Sequence, residues 1–301
     1  MNKSLHIAEP LSDETQRAVR WSQERRLQFI DFRLQWDGRL NRADLTNFFQ
    51  ISVPQASMDI RLYIKLASAN LIYDHSLRTY AATAEFAPLY PSSGAEQYME
   101  QLLALERQTL APPQSLIDVR PPVALVALPA RHIDQETLKR LLRAIAERGM
   151  LRANYQSITR DEPAWRDISP HAFGHDGMRW HVRAYCHLRG GFRDIILGRL
   201  LAVEQPRASS IKAQDDVEWN TYVELQLTPH PDMSAAMRHG IEIDYGMQDG
   251  KVTLVCRQAL LFYTLRCLNF SSEGEPMPDR RQLAIANLDE IHRFLPKSGQ
   301  A

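Results

Sequence analysis

The spacing of apolar residues changes along the chain, and this change restricts the fold more than any other sequence feature. In the first third, apolar side chains recur at helical spacing over residues 17–36, and two shorter amphipathic segments follow at 42–50 and 54–67. After Asn70, the stretch LIYDHSLRTYAATAEF places two tyrosines around a polar turn, which is typical of two short strands. Three helices followed by a hairpin is the element order of a winged helix-turn-helix.

The middle of the chain begins with a helix and then changes to a period of two. Residues 134–148 place apolar side chains on one helical face, with Asp134 as the cap and Gly149 as the stop. The segments that follow have the pattern of short antiparallel strands, at residues 150–160, 164–169, 178–188 and 192–203. Such a run predicts a small barrel, and the last third, which alternates strands and helices, predicts a compact α+β unit. The predicted fold class is therefore α+β and multidomain.

Prolines divide the chain into domains. The length of 301 residues allows two or three domains. Proline pairs at 112–113 and 121–122 and the single Pro206 each disfavour the continuation of a helix. We therefore expect three domains, with boundaries near 110–120 and 206–218.

Charge is balanced over the whole chain but uneven within it. Lysine plus arginine and aspartate plus glutamate are both 36, so no net field draws the molecule to nucleic acid. Residues 17–42, in contrast, hold seven arginines against three acids, whereas residues 206–301 hold ten basic and thirteen acidic side chains. A nucleic-acid contact is therefore expected in the first third and not in the last.

Cysteine content and hydropathy indicate the compartment. The three cysteines form no CxxC pair, which argues against a disulfide scaffold and a cysteine-rich zinc module. No apolar run approaches the length of a membrane span, and the first fifteen residues lack the apolar core of a signal peptide. We expect a cytoplasmic protein that has no membrane partner.

The stretch 49–60 carries the clearest local signal. Ser52 is placed to cap a helix, Pro54 is tolerated in its first turn, and Gln55 completes a capping box. With Ile60 facing the core, the outward side chains near the helix start are expected to include Gln55, Ala56 and Ser57. In a helix-turn-helix this end meets base edges in the major groove, where glutamine pairs with adenine and alanine contacts a thymine methyl.

Two interpretations of this stretch are open. The residues are either the ordinary surface of an interaction domain or the edge of a domain that binds duplex DNA. The local basic excess favours DNA, because contacts to phosphate need cations and the chain as a whole is neutral. The candidate DNA-binding residues are Ser52, Pro54, Gln55, Ala56, Ser57, Arg61 and Lys65, with His75 and Arg78 on the predicted wing.

The segment 179–199 is the second informative stretch. Strict alternation predicts one polar strand face, formed by Arg179, His181, Arg183, Tyr185 and His187. The segment contains five arginines, no lysine and one acid, a composition suited to holding phosphate or carboxylate; a solvated sheet face is the alternative. A two-residue turn would place Arg193 on the apolar side, whereas a three-residue turn would place it beside the other cations, so the register stays open.

Signatures of metal or catalytic sites are weak. His171 and His175 form HxxxH, but Gly174 and Gly177 indicate a loop, and the glutamate of HExxH is lacking. No GxSxG, Walker A or dinucleotide glycine motif occurs, and no cysteine lies in a recognised nucleophile motif. We therefore expect no metal, no cofactor and no enzymatic activity. An enzyme that uses His171, His175 and His187 is the outlying alternative.

Taken in order, these stretches resemble the WYL-domain transcriptional regulators, and most closely the BREX-associated and CBASS-associated repressors of phage-defence operons, the BrxR and CapW group. Where that family has Trp-Tyr-Leu, this chain has Trp180-His181-Val182. Three further segments are similar to the opening strand, the R-x-V-x-P-type segment and the R-x-F-R-L-D-R-I ending of the WYL domain, at 151–155, 167–173 and 193–200. The helix start at 51–60 resembles the recognition helix of the same subgroup.

The resemblance covers nearly the whole chain and implies its organisation. It implies a winged helix-turn-helix DNA-binding domain at 1–110, a ligand-sensing WYL domain of Sm/SH3-like barrel type at 111–206 and a C-terminal WCX dimerisation domain at 207–301. A repressor of this kind is a homodimer that binds an inverted repeat in double-stranded operator DNA.

The resemblance also implies an effector. This would be an anion, such as a nucleotide or a nucleic-acid fragment, held by Tyr155, Ser157, His171, His181, Arg183, Arg193 and Arg199. The alternative function is a sensor of single-stranded nucleic acid or nucleotides that acts through protein partners, with Tyr155, Trp165 and Tyr185 as surfaces on which bases stack.

Overall fold

The computed structural model describes residues 13–90, 94–277 and 282–295, and the side chains of the first helix from residue 21. The chain divides into two compact units, Met1–Leu128 and Pro129–Ala301. Among the residues described, no helix combines the length and the apolar content needed to cross a membrane.

The first unit is built from helices and a small sheet. Its described α-helices are α1 (Asp13–Asp37), α2 (Arg42–Phe49), α3 (Val53–Leu66) and α4 (Ala95–Glu106). Its described strands are β1 (Arg39–Leu40), β2 (Leu71–Asp74) and β3 (Thr79–Ala82), which form an antiparallel sheet in the order β1-β3-β2. The predicted order of three helices and a hairpin is confirmed, whereas α4 and β1 are additional to the prediction.

Local signals determine where α2 and α3 begin and end. The backbone N–H of Asn41 donates to the Asp44 carboxylate (2.6 Å) at the start of α2, and Gln50 ends that helix with a left-handed φ of 54°. Ser52 Oγ accepts the backbone N–H of Gln55 (3.3 Å), so Ser52 caps α3 as the sequence predicts. Apolar residues from all three helices fill the core, among them Leu27, Ile30, Leu34, Leu45, Ile60 and Tyr63.

The second unit begins with a helix and a larger antiparallel sheet. The helix is α5 (Gln135–Ala146), and Asp134 caps it by accepting the backbone N–H of Thr137 (2.8 Å). The strands are β4 (Gly149–Tyr155), β5 (Ala164–His175), β6 (Trp180–Cys186), β7 (Gly191–Ile196), β8 (Leu200–Val203) and β9 (Arg207–Ala208). The order is β7-β6-β5-β4-β8, and β9 also pairs with β4.

Three strands of this sheet differ from the prediction. The predicted strand 150–160 is shorter, because β4 ends at Tyr155. β5 continues to His175 because a bulge at Pro170–Ala172 bends the strand and lets its pairing with β6 resume. The predicted strand 192–203 is interrupted by a 3-10 turn at Leu197–Arg199, so β7 and β8 are separate strands. The sheet and α5 share a core that includes Leu141, Leu151, Ile168, Val182 and Ile195.

The unit ends with a second, smaller sheet packed on helices. The helices are α6 (Val217–Asn220), α7 (Ala235–Asp244), α8 (Leu261–Cys267) and α9 (Leu288–Ile291). The strands β10 (Tyr222–Pro229), β11 (Val252–Arg257) and β12 (Leu283–Ile285) form the antiparallel order β11-β10-β12. The alternation of β10 buries Val223, Leu225 and Leu227, which confirms the predicted α+β unit.

Candidate functional site

A polar edge of α3 faces solvent and runs from the Ser52 cap to the last turn of the helix. Ser52, Pro54, Arg61 and Lys65 are exposed, and Gln55 and Ser57 are half-buried at the rim of the same helix. The positive end of the helix dipole lies at this start and attracts anions. The edge therefore combines side-chain hydroxyls, the Gln55 amide and two cations, which is the chemistry that phosphates and base edges require.

The helix is rotated relative to the prediction. Ala56 and Asp59 are fully buried with Ile60 and Tyr63, whereas Met58 is 59% exposed. Residues at positions i, i+3, i+4 and i+7 share one helical face, and here that face turns toward α1. The prediction that Ala56 faces outward is therefore wrong, and a thymine methyl cannot reach its side chain.

A buried ion pair joins α1 to α3. Arg26 Nε donates to Asp59 Oδ2 (2.6 Å), and Arg26 Nη2 approaches Asp59 Oδ1 (3.4 Å). Gln55 Nε2 donates to the same Oδ1 (3.1 Å). Arg26 belongs to the basic excess that favoured DNA binding, but its guanidinium is buried against this carboxylate and cannot contact phosphate.

The wing is the turn between β2 and β3. Asp74 Oδ1 accepts hydrogen bonds from the backbone N–H of Leu77 (3.0 Å) and from the Oγ (2.7 Å) and N–H (2.8 Å) of Ser76, and these bonds hold the pKa of Asp74 below its usual range. Arg78 has a left-handed φ of 53°, and both His75 and Arg78 are exposed. The wing residues predicted from sequence are therefore accessible to solvent.

The predicted cationic face of β6 is covered by acidic residues. Arg183 is only 3% exposed. Its Nε and Nη2 atoms donate to the two carboxylate oxygens of Asp216 (2.7 and 3.0 Å), and Nη2 also donates to Glu218 (2.7 Å). Asp194 Oδ1 lies 3.4 Å from Nη1. The open anion-binding platform expected here is therefore incorrect, since internal carboxylates occupy the guanidinium.

The acids of this cluster differ in their protonation equilibria. Burial opposes the ionisation of Asp216, but hydrogen bonds from His171 Nε2 (2.9 Å) and Arg183 outweigh it and hold the pKa of Asp216 well below its usual range. Burial dominates at Asp194 and raises the pKa of that carboxyl despite the attraction of Arg183. The cluster therefore binds Arg183 chiefly through ionised Asp216.

His181 belongs to a neighbouring cluster rather than to an open pocket. Its Nε2 atom lies 2.9 Å from Asp176 Oδ2, its ring packs on Tyr263 (centroids 4.9 Å apart), and the side chain is buried. Burial opposes ionisation of Asp176, yet hydrogen bonds from His181, Met178 and Arg179 hold its pKa well below the usual range. His171 and His181 thus each contact an aspartate.

The remaining predicted pocket residues lie elsewhere. Cys186 pairs with Gly191 and Ala184 with Arg193, so a four-residue turn places Arg193 on the sheet face opposite Arg183. Tyr155 packs under the Arg166 guanidinium (4.9 Å), and Ser157 hydrogen-bonds to Thr159 (2.9 Å). Arg199, in the turn before β8, is bonded through its backbone C=O to the N–H of Gln156 (3.1 Å).

Sequence reasoning missed the acids that complete the Arg183 cluster. Asp216 and Glu218 lie at the start of α6, 33 and 35 residues beyond Arg183. A usable signal was the acidic pair at 215–216 before a short helix, because Asp216 also caps α6 by accepting the Trp219 N–H (3.1 Å). The single-stranded nucleic-acid alternative depends on the same covered face and has correspondingly less support.

The histidines of HxxxH lie in a strand and not in a loop. Both His171 and His175 belong to β5, where His171 contacts Asp216 and His175 packs against Trp180 (centroids 4.8 Å apart). Within the described ranges, no group of three or more His, Cys, Asp or Glu side chains is arranged to hold a metal ion.

The fold and the exposed helix of the first unit define a winged helix-turn-helix regulator. Family models match the chain in the expected order: the BrxR transcriptional regulator winged helix-turn-helix domain over residues 22–104, the WYL domain over 136–205 and the BrxR transcriptional regulator C-terminal dimerization domain over 222–291. The predicted three-part architecture is confirmed.

Curated relatives identify the family. The DNA-binding transcriptional repressor CapW of Pseudomonas aeruginosa is 46% identical over 274 residues, which are 91% of this chain and 92% of the relative. CapW of Escherichia coli (strain KTE188) is 43% identical over 94% of this chain and 95% of the relative, and CapW of Stenotrophomonas maltophilia is 44% identical over 92% and 93%. The chain belongs to the family of these repressors, which are regulators rather than enzymes.

Proposed function

We propose that this chain is a cytoplasmic, sequence-specific repressor of a phage-defence operon that binds an inverted repeat in double-stranded DNA as a homodimer. The observation that carries the proposal is the polar edge along α3, formed by exposed Ser52, Arg61 and Lys65 and by half-buried Gln55. The relatives named as DNA-binding transcriptional repressors support it, since they match more than 90% of the chain.

The residues of this edge divide into two roles. The Ser52 hydroxyl contacts phosphate at the start of α3, as do Arg61 and Lys65 further along the helix. Gln55 and Ser57 reach base edges, with Pro54 packing beside them. His75 and Arg78 on the wing add backbone contacts.

The dimer sets the geometry of the operator. The family match of residues 222–291 to a C-terminal dimerization domain supports two-fold symmetry. Two copies of α3 then enter successive major grooves about 34 Å apart, so the two half-sites form an inverted repeat. The proposed domains are 1–110 for DNA binding, 111–206 for sensing and 207–301 for dimerisation.

An anionic effector would act through the Arg183 cluster. Since Asp216 and Glu218 already hold the guanidinium, a phosphate-bearing ligand must displace at least one of these carboxylates to reach it. Asp216 caps α6, so displacing its carboxylate from Arg183 would move the start of α6 relative to β6. Coupling of this kind typically amounts to about 1–3 kcal/mol, enough to change operator occupancy severalfold.

The test is binding of the purified protein to the duplex upstream of its own gene, compared with scrambled duplex, at several salt concentrations. We expect protection of an inverted repeat and an affinity that falls steeply with salt. The substitutions Arg61→Ala and Lys65→Ala should each reduce the salt slope by about one, because each removes one phosphate contact.

Arg152→Ala is the matched control, because Arg152 is an exposed arginine of the second unit. It should leave the salt slope unchanged. Equal and weak binding to every duplex would contradict the proposal.

A further inference from the structure

The buried carboxylate of Asp59 restricts the orientation of the Gln55 amide. An ionised carboxylate only accepts hydrogen bonds, so the nitrogen of the Gln55 amide must face it. Asp59 Oδ1 accepts Gln55 Nε2 at 3.1 Å. Since Asp59 is buried and Gln55 only half-buried, the carbonyl oxygen of Gln55 lies on the side away from the buried carboxylate. The orientation therefore follows from chemistry and does not depend on distinguishing the two amide atoms.

Arg26 holds the Asp59 carboxylate in the position where it accepts the hydrogen bond from Gln55. Arg26 is 8% exposed, and its guanidinium spans both carboxylate oxygens, at 2.6 Å to Oδ2 and 3.4 Å to Oδ1. Ser22 Oγ accepts a further bond from Arg26 Nη1 (3.1 Å). Because the pair links α1 to α3 inside the domain, the amide of Gln55 is anchored to the core at the edge where DNA is proposed to bind.

We propose that the Arg26–Asp59 pair is a positioning device that makes Gln55 select adenine over guanine at one position of each half-site. In the major groove adenine offers an amino donor and the N7 acceptor, whereas guanine offers two acceptors. The outward carbonyl of Gln55 accepts from the adenine amino group, and the second amide N–H can reach N7. Facing guanine, the same carbonyl meets the O6 acceptor and is repelled.

This inference rests on the proposed function, because it requires that Gln55 reads a base. The first test uses the unmodified protein and its footprinted operator. Each adenine of a half-site is replaced in turn by guanine, and separately by purine, which lacks the 6-amino group. At one position we expect both replacements to weaken binding by about fivefold or more. If no adenine responds to loss of its amino group, the proposal is overturned without any variant having to fold.

The second test replaces Asp59, the residue that orients the Gln55 amide. In Asp59→Asn the side-chain oxygen stays on Arg26, and the new amide nitrogen donates to the Gln55 carbonyl, which turns the Gln55 amino group outward. The ratio of affinities for adenine and guanine at the identified position should then fall by about fivefold or more. In a Gln55→Ala background the same substitution should not change that ratio, because no amide remains to be oriented.

Asp31→Asn is the matched control. Asp31 is another buried acid of this domain and accepts a hydrogen bond from Tyr63 of α3, but no described bond joins it to Gln55. It should lower stability and leave the base preference unchanged. An unaltered adenine-to-guanine ratio in folded Asp59→Asn overturns the positioning role, whereas a wild-type protein without any base preference overturns the proposed function itself.

Discussion

The guanidinium of Arg183 carries one positive charge and lies against three carboxylates. Asp216 and Glu218 accept at 2.7 Å and Asp194 at 3.4 Å, so the four groups sum to a charge of −2. His171 Nε2 adds a hydrogen bond to Asp216. In such a cluster the cation matters more than any single acid, because its loss leaves buried like charges without compensation.

Arg183→Met should therefore destabilise the second unit strongly. We expect the free energy of unfolding to fall by about 3–5 kcal/mol, because Asp216 and Asp194 would remain buried without a counter-charge. Urea denaturation followed by tryptophan fluorescence measures this change. Arg152→Met is the control. The pair of Arg152 with Glu204 spans 3.9 Å and both side chains are half exposed, so the free energy of unfolding should fall by about 1 kcal/mol or less. Equal losses in the two variants would contradict the role of the cluster.

The cluster also predicts a pH dependence. The folded state holds the pKa of Asp216 below its usual value of about 4, so its contribution to stability is complete above that pH and is lost as the pH falls. Asp194, whose pKa is raised, contributes with the opposite sign but is present in both proteins compared. The stability difference between wild type and Asp216→Asn should therefore shrink below about pH 4. A constant difference between pH 6 and pH 3 would refute this.

At the scale of the element, α3 shows what sequence can and cannot predict. Its start follows from Ser52 and Pro54, and the observed Ser52 cap confirms it. The predicted capping box does not form, because the Gln55 side chain bonds to Asp59 and not to the backbone N–H of Ser52. Its rotation does not follow, because the buried face contains Asp59, which a hydrophobic pattern assigns to the surface. The compensating Arg26 lies 33 residues earlier, and nothing in the local pattern connects the two.

The cap of α3 allows stability and DNA contact to be separated. Ser52→Ala should lower the free energy of unfolding by about 1 kcal/mol, since the N–H of Gln55 loses its acceptor. Ser52→Asp keeps the cap and should retain the stability, while its negative charge repels phosphate and weakens duplex binding. Thermal denaturation and fluorescence anisotropy measure the two effects. Identical affinities for wild type and Ser52→Asp would exclude Ser52 from the phosphate contact.

At the scale of the whole molecule, the order of the domains can be predicted from the sequence, but contacts between distant segments cannot. The change of apolar period from helical to two, followed by alternating strands and helices, predicts the three-part architecture that the family models confirm. The cationic strand β6 was predicted as an open pocket, because its covering acids belong to α6 and its cap. A contact between such distant segments depends on tertiary packing, which periodicity does not encode.

A two-fold dimer with two DNA-reading helices predicts a dependence on the spacing of the half-sites. Inserting about 5 base pairs between them rotates one half-site to the opposite face of the duplex, so only one α3 can bind its groove and the gain from joint binding is lost. Inserting about 10 base pairs returns the two half-sites to the same face of the duplex, although they then lie about 34 Å further apart. Electrophoretic mobility shifts on these duplexes should show the largest loss for the 5-base-pair insertion. Equal affinity for the original and the 5-base-pair duplex would mean that one half-site suffices and would contradict binding as a two-fold dimer.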